Sequence, residues 1–84
     1  MREITIDCAG LDKAGLHSAF RKALDFPQWY GNNLDALYDC LTELPEPVRL
    51  VLKNWDAAAD FAPGFESVFT DAQDFNPDFT VEYA

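Results

Sequence analysis

Three short segments constrain this chain more than anything else in it. They run from about Glu3 to Cys8, from Val48 to Leu52 and from Phe79 to Tyr83. All three are rich in β-branched, aromatic or other apolar residues and read as strands. Between each neighbouring pair lie two stretches with helical periodicity instead of a tight turn. Strands joined by helical crossovers favour parallel pairing, and right-handed crossovers would lay the helices against the sheet. The expected architecture is therefore α/β: one domain over residues 1–84, with a three-stranded parallel sheet packed with about four helices. Val48-Arg49-Leu50-Val51-Leu52 is a mostly apolar run, as expected of a strand covered on both faces.

The helical stretches can be placed by their punctuation. Asp12 can cap a helix running through about Leu24, with Leu16, Ala19, Phe20, Ala23 and Leu24 as its buried stripe. Lys13, Arg21 and Lys22 stay wet. His17 lies beside the stripe and reads as a surface or boundary residue, and a lone histidine does not suggest a metal site. Asp25-Phe26-Pro27 ends this helix, because the residue before a proline avoids the helical region. Pro45-Glu46-Pro47 is a rigid break. After the second strand, a short helical piece from Asp56 to Phe61 is broken by Pro63-Gly64. A last helix then spans about Phe65 to Phe75, with Phe65, Val68, Phe69 and Ala72 inward and Ser67, Asp71 and Asp74 outward.

The stretch Trp29-Tyr30-Gly31-Asn32-Asn33-Leu34-Asp35-Ala36-Leu37-Tyr38-Asp39 reads as an aromatic turn opening directly into a helix from about Leu34 to Glu43. Asn32 or Asn33 can cap it. Gly31 permits a positive φ or a close backbone approach. At the helical period Leu34, Leu37, Leu41 and Leu44 share one side with Cys40, while Asp35, Asp39 and Glu43 share the other. No cation interrupts that acidic side. Like charges four residues apart cost a few tenths of a kcal/mol (about 0.2–0.5) per pair. The helix dipole helps Asp35 but not Glu43. The ridge is either a solvated helix face or a surface built for a cationic partner, and the fold itself gains little from Asp39 and Glu43.

Charge narrows the partners. The chain has 84 residues and a net charge of −9. Nucleic acid and anionic lipid would repel it, and a basic protein is its natural partner. Self-repulsion favours a monomer when free. No run is long enough for a signal peptide or a membrane span. Cys8 and Cys40 read as reduced packing residues of a cytoplasmic protein, with a single disulfide left open.

Enzyme chemistry finds little footing. Asp35 and Asp39 could form an acid/base pair, but such pairs need a concave site that drives their pKa values apart. Ser18 sits next to His17 in sequence, and adjacent helical residues do not face each other. There is no glycine-rich phosphate loop, no Cys-x-x-Cys pair and no implied cofactor. Nucleic-acid binding lacks its basic footprint, although Trp29 and Tyr30 could stack bases. Carboxylates in this pattern could instead stand where RNA phosphates lie on a basic nuclease.

The run Pro27 to Thr42, with its Tyr-Gly-x-Asn-Leu-Asp-Ala-Leu core followed by an aromatic residue and Asp, closely resembles the barstar family of intracellular ribonuclease inhibitors. The likeness extends more weakly over nearly the whole chain. It implies a three-stranded parallel sheet packed with helices, in agreement with the element order. It also implies a one-to-one complex with a basic secreted ribonuclease similar to barnase, whose active site the acidic helix plugs. By that likeness Asp39 would replace the scissile phosphate, and Asp35 would meet a further basic group and loop amides. Trp29, where the family carries tyrosine, would stack near the catalytic histidine. Gly31 and Asn33 would supply backbone and amide contacts. Tyr38 would pack at the rim, and Thr42 would sit at the edge near Glu43. Asp71 stands where the family has a glutamate in the last helix, and Tyr30 of the aromatic turn and Glu43 of the ridge would also belong to the partner-binding surface. Leu44 replaces a tryptophan, and a further acidic position falls near Asp74 and Phe75. The alternative is an interaction or immunity module on the same fold that binds a different basic protein or toxin. A third reading, a weak hydrolase using Asp35 and Asp39, would show turnover.

Overall fold

The computed structural model describes every residue except Met1, Trp29 and Ala59. Strand β1 (Arg2–Asp7) leads into helix α1 (Lys13–Ala23) and helix α2 (Leu34–Thr42). Strand β2 (Val48–Lys53) is followed by a 3₁₀ turn (Trp55–Ala58), helix α3 (Ala62–Phe75) and strand β3 (Phe79–Tyr83). The sheet is parallel in the order β1-β2-β3, with Ile4 opposite Leu50 and Leu50 opposite Val81. The expected α/β fold is thus the one observed, with three α-helices and one 3₁₀ turn for the roughly four helices anticipated. Among the described residues no helix is long and apolar enough to cross a membrane.

One face of the sheet makes the core. Ile4, Ile6, Val48, Leu50, Leu52 and Phe79 are buried there, under Leu16 and Phe20 of α1, Leu37 and Leu41 of α2, and Phe65 and Phe69 of α3. Aromatic rings dominate the contact: Phe20 meets Phe69 edge-on with centroids 5.7 Å apart, the geometry that ring quadrupoles favour.

The other face corrects the expectation that β2 is covered on both sides. Glu3, Thr5, Asp7, Lys53, Thr80 and Glu82 are exposed on it. Arg49 holds Glu3 at 3.2 Å and Glu82 at 2.6 Å across the three strands. A charged cross-strand clamp takes the place of a second helical layer, and Val51, 9% exposed, packs between Thr5 and Glu82.

Pro63-Gly64 does not separate two helical pieces either. Pro63 stands in the first turn of α3, where its missing amide hydrogen has no helical partner to lose. Gly64 lies under Leu34 of α2: a β-carbon at Gly64 would meet Leu34 Cδ1 at 3.0 Å. The glycine is what brings α2 and α3 close together.

Both cysteines are free and buried. Burial, reinforced by the nearby Glu43 and Asp39, pushes the Cys40 thiol up to about 11.

Candidate functional site: the acidic face of α2 and α3

The acidic helix is held at both ends. At its start Asn33 is the cap: its Oδ1 accepts the Ala36 amide hydrogen at 2.8 Å. Asn32, at φ 53°, supplies the left-handed residue of the turn, a conformation asparagine tolerates better than most side chains. Of the two caps left open by the sequence, the second is used and the first bends the chain. At the far end Asn76, the C-cap of α3, donates its Nδ2 hydrogen to the Leu41 carbonyl at 3.2 Å. A last-turn carbonyl that would otherwise lack a partner is thereby satisfied. Thr42 donates its hydroxyl to the Asp39 carbonyl at 3.0 Å, tightening the same turn.

The turn before α2 is pinned by a side chain expected at the partner-binding surface. Tyr30 is buried, 5% exposed, and its hydroxyl is hydrogen-bonded to Nδ1 of His17. Its ring packs on Phe26 with centroids 5.0 Å apart. Two expectations are corrected here. The Tyr30 ring is packed into the core rather than exposed, and His17, 1% exposed, is a core residue of α1 rather than a boundary one. The signal was present in the helical spacing, since His17 stands three residues before Phe20 and seven before Leu24 on one stripe. Burial, with Lys13 nearby, lowers the His17 pKa and keeps the ring neutral. Burial raises the Tyr30 pKa, so the bond is between uncharged groups.

Asp35, Asp39 and Glu43 are all exposed along the outer side of α2, and Asp71 and Asp74 are exposed on α3. Among the described residues the ion pairs are made by Arg2, with Asp25 and Glu46, and by Arg49, with Glu3 and Glu82. None of these reaches the ridge, and neither α2 nor α3 contains a basic residue. Asp35, Tyr38, Asp39 and Asp71 share a depression of about 370 Å³ that Leu34 and Val68 also line. Helix packing has therefore brought Asp71 beside the α2 carboxylates, across more than thirty residues of sequence. Tyr38 is half-buried between them. Gly31 and Asn33 are exposed at the head of the helix, although the Asn33 side-chain oxygen is committed to its cap. Trp29 lies outside the described residues. Asp35 and Asp39 stand on an open surface, where water competes for both carboxylates.

The features above are those of a small acidic protein with a preformed anionic face. The chain belongs to the barstar family: the family model described as "Barstar (barnase inhibitor)" matches residues 1–84. A Bacillus subtilis (strain 168) protein named "Putative ribonuclease inhibitor YrdF" is 46% identical over 63 residues, covering 73% of this chain and 69% of that one.

Proposed function

We propose that this protein inhibits a basic, secreted, barnase-type ribonuclease by laying α2 and the turn before it over the nuclease's active site. The observation that carries this reading is the ridge itself. Asp35, Asp39 and Glu43 are exposed along a helix held at both ends, and no ion pair among the described residues neutralises them. Like charges kept on a helix that gains little from them suit a partner of opposite charge. Family membership and the name of the B. subtilis relative support the same reading.

In this mechanism Asp39 takes the place of the scissile phosphate, opposite the nuclease's arginines and histidine, and Asp35 meets a further basic group. Gly31 and Asn33 contact the cleft loops. Tyr38, Thr42 and Glu43 line its rim, and Asp71 extends the anionic face. Tyr30 acts from inside, as the anchor that aims the turn. The protein acts as a cytoplasmic monomer that binds one nuclease and catalyses nothing itself.

The test is an RNA-cleavage assay with barnase-type nucleases mixed with the protein at micromolar concentration. Inhibition is expected; full activity across several such nucleases would refute the reading. Asp39→Ala should weaken binding by more than ~2 kcal/mol, as a central interface hot spot does. Asp60→Ala, exposed outside α2 and α3, should bind as the parent does. Equal losses in the two variants would refute the assignment of the site.

A further inference from the structure

Phe75 is 69% exposed, more than any other large hydrophobic side chain described. Helical spacing places it on the same flank of α3 as Val68 and Asp71, away from the stripe of Phe65, Phe69 and Ala72 that enters the core. The concavity beside it, about 410 Å³, is lined by Tyr38, Asp71, Asp74 and Phe75. It shares Tyr38 and Asp71 with the depression at Asp35 and Asp39, so the two shallow depressions adjoin and Phe75 borders the second.

We infer that Phe75 is a specificity-determining anchor of the inhibitory surface, filling an apolar recess that basic side chains border on the bound ribonuclease. This rests on the ribonuclease-inhibitor reading. Charge complementarity selects the occupant. Asp71 and Asp74 flank the ring, and α2 and α3 contribute no cation to offset them. A second copy of this chain, at −9, would bring like charge to the same place. A cationic surface with an apolar recess satisfies both ring and carboxylates. The division of labour follows from range: carboxylates steer the encounter from a distance, whereas a ring buried only on contact slows release.

The test uses the full chain and whichever barnase-type ribonuclease of a panel it binds most tightly, with association and dissociation rates measured at several salt concentrations. Phe75→Ala should speed dissociation about tenfold, as loss of a buried aromatic anchor does. Association and its salt dependence should stay unchanged, and Phe75→Leu should retain most of the affinity. Because the side chain is exposed, both variants should melt where the parent does. If Phe75→Ala dissociates like the parent while Asp39→Ala still weakens binding, this inference falls and the inhibitor reading stands. If no ribonuclease binds, both fall. A dimer of the free chain that Phe75→Ala abolishes would give the ring to a second copy and overturn the inference.

Discussion

At the scale of single residues, His17 and Tyr30 carry the most consequence. Their bond crosses from α1 to the turn that aims α2, within the aromatic core. The lowered pKa of His17 makes stability depend on pH, with a definite sign. Below its ordinary value of 6.5 the unfolded chain takes up a proton that the folded chain refuses, so the unfolded state gains. The stabilising contribution is complete above 6.5 and is lost as pH falls toward the lowered native value. The urea midpoint should therefore drop as pH falls through about 6.5 and below. His17→Gln, which cannot titrate, should show a flatter profile across that window. Parallel profiles would mean that His17 is not the source. Neither its burial nor its bond to Tyr30 follows from composition, but its place on the α1 stripe was readable. An aromatic residue beside a motif of acids looks like a contact residue until its neighbours are known.

At the scale of elements, α2 is defined by its ends. A nine-residue helix is marginal alone, so its caps and its packing on α3 matter more than its propensity. Asn33→Ala should cost about 1 kcal/mol, the usual value of an N-cap. Asn33→Asp should keep the bond and place a negative charge at the favourable end of the helix dipole. For a chain of this size such a loss lowers the melting temperature by roughly 4–8 °C, which calorimetry would detect. Equal melting of Asn33→Ala and the parent would mean that the cap contributes nothing. The helix, its apolar side and its acidic side were all legible, because periodicity and a capping residue are local signals. The start of α3 was misplaced because Pro63-Gly64 is an ambiguous signal. Proline ends a helix from its interior but begins one at its first turn, and the glycine's purpose, room for Leu34, exists only across the chain.

At the scale of the molecule, charge sets two opposite responses to salt. The ridge and the chain's excess of acids repel one another in the folded state. Raising NaCl from about 0.05 to 0.5 M shortens the screening length from more than 10 Å to a few ångströms. Stability should rise with salt, read as an upward shift of the urea midpoint. Association with a basic ribonuclease should slow over the same range, because steering is screened. Stability that fell with salt would mean that the Arg2 and Arg49 ion pairs outweigh the repulsion.

The sequence alone determined which segments are strands and helices, that the strands run parallel, and which carboxylates share a helix face. Those features depend on local conformational preference and on the spacing of residues within a segment. The tertiary structure alone decided that only one face of the sheet is covered, that Tyr30 turns inward to His17, and how Asp71 and Phe75 sit beside Tyr38 and the α2 ridge. Each of these depends on which distant segment fills the space beside a residue, and that follows only when the whole core is packed.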